Sequence, residues 1–343
     1  MTAHELENTA KALVAPGRGI LAADESTGTI EKRFKSINLA STEEHRRAYR
    51  DLLFSTPGAA EFISGVILYD ETIRQRAADG TPFPKFLAAR GIVPGIKVDA
   101  GTVALPGSTK EKRTNGLDGL RERLAEYRGL GARFAKWRAV ITIGEGIPSR
   151  RCLEDNAYSL AIYAALCQEQ GLVPIVEPEV LMDGHHTLER CFEVTQATLH
   201  LVFDALYEHA VVLERMLLKP NMVISGKECP TQASTQEVAE ASVQCFRRTV
   251  PAAVPGIVFL SGGQSSPQAT ANLSAMNAMA TVHPWQLSYS YGRALQDEAL
   301  RAWKGKAENV GAAQKAFLHR SRMVSAARSG RYSEKMEREL VTA

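Results

Sequence analysis

In residues 211–222, VVLERMLLKPNM, an apolar run ends on Lys219, with Pro220 directly behind it. An apolar stretch of strand length bounded by proline reads as a buried strand with a restricted exit. An ammonium at such an exit either snorkels to solvent or stands desolvated where a core opens. In the second case its pKa falls and its amine becomes a nucleophile. Lys136, in ARFAKWR, is carried by a second apolar run, and its charge would push Lys219 further toward the free amine by repulsion. Glu177 and Glu179 follow the run VPIV, and Asp24 follows GILAA. A nucleophilic amine with carboxylates to move protons suits imine chemistry on a carbonyl compound.

Two further groups of residues suit anions. Residues 260–266, LSGGQSS, are followed by Pro267 and the helix-like QATANL. Glycines after a strand let backbone N–H groups converge on an anion, and the next helix start adds the positive end of its dipole. A tight Gly-Gly turn is the alternative, but Gly292 and Arg293 follow the next apolar run and supply a matching cation, so Ser261, Gly262, Gly263, Gly292 and Arg293 read as one phosphate site. Lys97, Arg138 and the region of Ser26 and Arg33 could hold a second phosphate. Two anion sites flanking a lysine point to a bisphosphorylated sugar whose ketone the lysine attacks. The imine is an electron sink that permits carbon–carbon cleavage without metal. Zinc is the competing route, and Asp183, His185 and His186 form the one histidine cluster; adjacent histidines in a turn are more often surface residues than paired ligands. No metal and no cofactor beyond the lysine imine is therefore expected.

The elements that must position these residues recur along the chain. Eight short apolar runs occupy residues 19–23, 65–69, 93–96, 132–137, 173–176, 211–222, 256–260 and 287–291, and nearly all end in polar or charged residues. Helical stretches separate most of them. Ser41 with Glu44 and Ser234 with Glu237 have capping-box spacing, and residues 153–170 and 188–209 have helical length. Repeated strand-then-helix units imply parallel strands joined by right-handed crossovers. Eight of them match an α/β fold of the (β/α)8 TIM-barrel type, with extra N- and C-terminal helices outside the barrel at about residues 1–18 and 300–343. A doubly wound open sheet is the runner-up, weakened because no G-x-G-x-x-G follows the first run. The chain reads as one domain over residues 1–343, with a tail from about residue 330. Barrel sites lie at the C-terminal ends of strands, which gathers Asp24, Lys97, Lys136, Arg138, Glu177, Glu179, Lys219, Ser261 and Arg293 on one rim.

Composition narrows the partners. The 343 residues include 41 Lys and Arg against 38 Asp and Glu, a net charge of +3 with no long basic block, which argues against nucleic acid. No apolar run approaches the roughly 20 residues that span a bilayer. Five cysteines without a C-x-x-C pair, and no targeting pattern at the N-terminus, suggest a reduced, cytoplasmic protein.

The segments GRGILAADESTGTI, GIKVDAG, FAKWR, VPIVEPE, LLKPNMV, FLSGGQS and SYGRAL resemble, in order, the signature segments of class I fructose-bisphosphate aldolase. The resemblance runs from about residue 10 to about residue 332. It implies a TIM barrel that reversibly cleaves fructose 1,6-bisphosphate to dihydroxyacetone phosphate and glyceraldehyde 3-phosphate. It further implies Lys219 as the Schiff-base lysine, Glu177 as acid and base for imine formation supported by Glu179, Asp24 for the proton of the cleavage step, and Lys136 beside the imine. Ser261, Gly262, Gly263, Ser290, Gly292 and Arg293 would take the C1 phosphate, and Ser26, Arg33, Lys97 and Arg138 the C6 side. A homotetramer is implied as well. Two departures stand out. Animal-type members end in a tyrosine, whereas this chain reads LVTA at residues 340–343 and has its last tyrosine at Tyr332, so the late protonation is expected to be slower or to use another group. Ala100 stands where many relatives have lysine. A scaffold protein on the same fold is the rival reading, and it would have no need for Asp24, Lys136, Glu177, Lys219 and Arg293 together.

Overall fold

The computed structural model describes residues 3–338. Eight strands, β1 (Gly19–Ala22), β2 (Ile63–Leu68), β3 (Val93–Lys97), β4 (Phe134–Ile141), β5 (Val173–Val180), β6 (Leu217–Leu218), β7 (Gly256–Phe259) and β8 (Gln286–Tyr291), form a closed barrel. Each pairs in parallel with the next, and β8 pairs with β1. This is the (β/α)8 TIM barrel, and closure excludes the open sheet.

Period-two alternation sorts the strand residues into an inner and an outer set. Ile20, Ala22, Ile67, Phe134, Ile175, Leu217 and Val258 belong to one buried cluster, inside the barrel. Their neighbours Leu21, Val66, Trp137, Val176, Leu218 and Ile257 belong to the larger cluster between sheet and helices. Counting in twos from the inner set gives Asp24 after Ala22, Lys136 and Arg138 after Phe134, Glu177 and Glu179 after Ile175, and Lys219 after Leu217. These candidate residues are in phase with the barrel interior and form its top layers.

The expected strand limits need correction. Strands four and five run to Ile141 and Val180, because their ladder continues unbroken from Phe134 opposite Val173 to Ile141 opposite Val180. Arg138, Glu177 and Glu179 therefore lie within strands rather than beyond them, and Lys136 lies within its strand as expected. The sixth strand shrinks to Leu217–Leu218, preceded by a single 3-10 turn at Leu213–Arg215. Lys219 N still donates to Val176 O at 2.8 Å, and Pro220, having no N–H, can only accept, from Leu260 N at 3.1 Å.

The N-terminal helix does not lie beside the barrel as expected. Ala3–Leu13 closes its lower end, with Leu6, Ala10, Leu13 and Val14 in the inner cluster. At the other end of the chain, helix Val310–Arg328 packs outside, as expected, after the helix Arg293–Trp303 that follows β8. The capping box at Ser234 and Glu237 is present before Thr235–Thr249. The one at Ser41 and Glu44 is not: Thr42 caps Glu43–Phe54 by accepting from His45 N at 3.1 Å.

Candidate active site

The C-terminal end of the barrel opens into a cavity of about 700 Å³. Strand geometry delivers Asp24, Lys97, Lys136, Arg138, Glu177, Glu179 and Lys219 to its floor and wall, and all seven line it. At its centre one carboxylate bridges two lysines. Glu177 Oε1 lies 3.2 Å from Lys219 Nζ, and Glu177 Oε2 lies 3.3 Å from Lys136 Nζ. Lys136 Nζ also meets Asp24 Oδ2 at 2.6 Å. All four side chains are buried or nearly so, with relative side-chain exposures between 4 and 12 %. Charges this deep are tolerated because each has an opposite partner.

The electrostatics follow from this chain of pairs. Burial alone would raise the pKa of Asp24, but the ammonium groups of Lys136 and Lys219 outweigh it and hold the carboxyl well below its ordinary range. Burial disfavours the Lys136 cation, yet Asp24 and Glu177 overcome that penalty and raise its pKa. Lys136 thus presents a charge already matched by two carboxylates. The repulsion expected between it and Lys219 is offset by Glu177, which sits between them.

Glu179 faces elsewhere. Its Oε2 accepts from Arg138 Nε in a very short ion pair, and Asp99 steers both that strand and the one beside it. Asp99 Oδ2 accepts from Arg138 N at 3.3 Å, and Oδ1 pairs with Lys97 Nζ at 2.7 Å. Lys97 and Arg138 are therefore held by carboxylates at one side of the mouth.

The opposite side is built by the ends of β7 and β8. Gly262 and Gly263 have φ of 58° and 84°, left-handed values that permit the turn after Ser261. Gln264 pins the turn by donating from its Nε2 to Ser261 O at 3.0 Å and accepting from Asn272 Nδ2 at 2.7 Å. Ser265 caps the following helix, Ser266–Ala278. Helix Arg293–Trp303 begins directly after β8, with Gly292 as its N-cap and Arg293 in the cavity wall. Arg293 makes no hydrogen bond or ion pair among the described residues. Ser290 Oγ, buried in the same wall, likewise has no hydrogen-bond partner among the described residues. A free guanidinium, an unsatisfied hydroxyl and a helix N-terminus in one wall suit an anion.

Sequence reasoning missed the support behind Arg33. Glu25 Oε1 lies 2.5 Å from Arg33 Nη1, and Oε2 lies 2.6 Å from Arg50 Nη2. Gln296 donates to Glu25 Oε1 at 3.0 Å. Burial pushes the Glu25 pKa up, but Arg33 and Arg50 more than reverse it. The adjacent acidic pair Asp24-Glu25 was the available signal: alternation sends the two carboxylates to different partners. Lys32, Asp297 and Arg301 also line the cavity without having been singled out.

Other candidates fall outside the site. His185 bonds Glu228 through both ring nitrogens, at 2.8 and 3.0 Å, and no group of side chains suited to a metal ion occurs among the described residues. Tyr332 donates to Glu337 Oε1 at 2.7 Å and lines a separate groove with Ala271 and Ala278. Residues 340–343 lie outside the described residues. Ala100 is exposed and does not line the cavity.

The family model described as fructose-bisphosphate aldolase class-I matches residues 5–342. The chain belongs to the class-I fructose-bisphosphate aldolase family. It is 58 % identical over 333 residues to the probable fructose-bisphosphate aldolase class 1 of Xanthomonas campestris, covering 97 % of this chain and 99 % of that one. Against the fructose-bisphosphate aldolase of Dictyostelium discoideum it is 55 % identical, covering 96 % and 93 %. A solved structure of the Plasmodium falciparum aldolase, in complex with TRAP and a small-molecule inhibitor, superimposes with a TM-score of 0.95 at 52 % identity, covering 96 % of each chain. The chain is accordingly a lyase that cleaves fructose 1,6-bisphosphate reversibly, a glycolytic reaction, and class I membership implies metal-independent Schiff-base chemistry on phosphorylated sugars.

Proposed function

We propose that Lys219 forms the imine and that Glu177 moves the protons of its formation. The observation that carries this reading is the 3.2 Å contact between Glu177 Oε1 and Lys219 Nζ, which is within reach for direct proton transfer. Glu177 takes a proton from the Lys219 ammonium, and the free amine attacks C2 of the substrate ketone. The resulting carbinolamine loses its hydroxyl as water, protonated by Glu177, and leaves a cationic imine. Lys136, matched by Asp24 and Glu177, keeps Asp24 ionised and both carboxylates aimed.

Asp24 then accepts the proton of the C4 hydroxyl. The C3–C4 bond breaks, its electron pair moves toward the imine nitrogen to give an enamine, and C4 leaves as an aldehyde. Protonation of C3 and hydrolysis return Lys219 and release the ketone product. Glu179 supports this centre through Arg138.

Ser261, Gly262, Gly263, Ser290, Gly292 and Arg293 take the C1 phosphate, and Ser26, Arg33, Lys97 and Arg138 take the C6 phosphate. The distribution of charge supports this: eight basic side chains against five carboxylates line the cavity, a surplus suited to a bisphosphate. The whole chain works as one domain, as a homotetramer in the cytosol; an Arabidopsis thaliana relative at 55 % identity carries the name cytosolic. No helix among the described residues is long and apolar enough to cross a membrane. Light scattering measures the assembly.

Borohydride added with dihydroxyacetone phosphate tests the assignment of Lys219. The expected result is inactivation with a reduced adduct on the Lys219 peptide in the mass spectrum, and full activity in EDTA. An unmodified Lys219 peptide in an inactivated sample overturns it.

A further inference from the structure

A cation outside the residues so far assigned sits on the phosphate loop. A methyl group built on Gly263 would lie 3.1 Å from Lys227 Nζ and 3.2 Å from Arg293 Nη2. Two cationic heads from different segments therefore approach the surface of one glycine, on the turn whose neighbours Ser261 and Gly262 line the cavity.

Lys227 is held there by its backbone. Lys227 N donates to Met182 O at 2.7 Å, Gly226 N to His186 O at 2.8 Å and Glu228 N to Gly184 O at 3.0 Å. The approach is so close that a side chain at Gly226 would meet Gly184 O at 2.3 Å. His185 clamps the same junction through Glu228. The DGHH segment thus braces the segment that carries Lys227. At the tip, Lys227 Nζ meets Asp183 Oδ1 at only 3.4 Å, and the two side chains are 43 and 64 % exposed. An ion pair that long and that exposed contributes little and is readily exchanged for a better anion.

We propose that Lys227 is a further phosphate-holding residue, closing over the Ser261–Gly263 turn beside Arg293, and that Asp183 restrains it until a phosphate arrives. This rests on the turn being the C1-phosphate cradle. The phosphate ester replaces Asp183 as the partner of the ammonium, so affinity at this end of the substrate reflects competition between the two anions. Lys227 and Asp183 consequently act in opposite directions on phosphate binding, which a purely structural ion pair does not do.

The test is binding of inorganic phosphate by calorimetry at low ionic strength, in an Arg33→Ala background that weakens the opposite phosphate side. Lys227→Met is expected to bind phosphate about five- to tenfold more weakly, Lys227→Arg within about twofold of the parent, and Asp183→Asn about twofold more tightly. On an otherwise unmodified chain, Lys227→Met should raise KM for fructose 1,6-bisphosphate and fructose 1-phosphate by the same factor, with kcat kept. Unchanged phosphate affinity in Lys227→Met, or a shift of the same sign in Lys227→Met and Asp183→Asn, overturns the proposal. Failure of the unmodified chain to cleave either sugar phosphate would instead overturn the roles assigned to the catalytic residues, while the phosphate titration would still decide Lys227.

Discussion

Asp24 Oδ2 lies 2.6 Å from Lys136 Nζ across the mouth of the barrel, although Asp24 follows β1 and Lys136 lies in β4, and the two strands are not adjacent. The contact is possible because both residues point inward at the same height, and it makes Lys136 the hub between Asp24 and Glu177. In the proposed mechanism the hub separates two tasks: Glu177 serves the amine, and Asp24 serves the part of the substrate that leaves.

Asp24→Asn should separate those tasks in an experiment. Loss of the carboxylate removes the acceptor for the C4 hydroxyl proton, so kcat for fructose 1,6-bisphosphate should fall by about 10²- to 10⁴-fold. Imine formation, which uses Glu177, should persist and be trapped by borohydride as an adduct on Lys219. A variant that loses cleavage and adduct together would show that Asp24 is needed before the cleavage step.

Stability should fall with acid in a predictable window. The ordinary values for Asp24 and Glu25 are 3.8 and 4.5, and the cations beside them lower both in the folded protein. A depressed folded pKa contributes stability that is complete above the unfolded value and is lost as pH falls toward the folded one. Urea midpoints should therefore hold steady above about pH 5 and decline progressively below pH 4.5. The decline should be shallower in Asp24→Asn, and an unchanged slope in that variant would remove Asp24 from the account.

Glu25→Gln should cost both stability and affinity. Arg50 is almost completely buried, with a side-chain exposure of 3 %, and would lose its ion-pair partner; breaking one side of such a pair costs about 3–5 kcal/mol. Arg33 loses its anchor in the same step, so KM for the bisphosphate should rise more than KM for fructose 1-phosphate. The double variant Glu25→Gln/Arg50→Met should recover stability without recovering that KM, because the buried charge is gone but Arg33 stays loose. Recovery of both would mean that Glu25 serves only the fold.

Leu13→Ala probes the N-terminal seal. Leu13 is fully buried at the lower end of the barrel, and a cavity there should cost about 2–5 kcal/mol in chemical denaturation. Turnover should be retained, since the site is at the other end. A cost below about 1 kcal/mol would indicate that the lower end repacks without the helix.

Much of the site was legible because its residues follow apolar runs, and because alternation in a closed barrel leaves one direction for them to point. Lys219, Glu177, Asp24 and Lys136 were all found this way. Strand ends were not legible for the same reason: a functional barrel strand keeps its ladder while its inner side chains turn polar, so β4 and β5 looked shorter than they are. The 3-10 turn before Lys219 hid the opposite error, since an apolar run of the right length contains only two ladder residues.

By itself the sequence determined the number of barrel strands, the order of the candidate residues and the family, because these depend on local periodicity and on motifs read along the chain. Only the tertiary structure decided that Glu177 bridges Lys136 and Lys219, that Glu25 ties Arg33 to Arg50, that the first helix plugs the barrel and that Lys227 and Arg293 both reach Gly263. Each of these is a contact between segments far apart in the chain. Barrel closure sets such contacts through register and tilt, and no local pattern of residues encodes them.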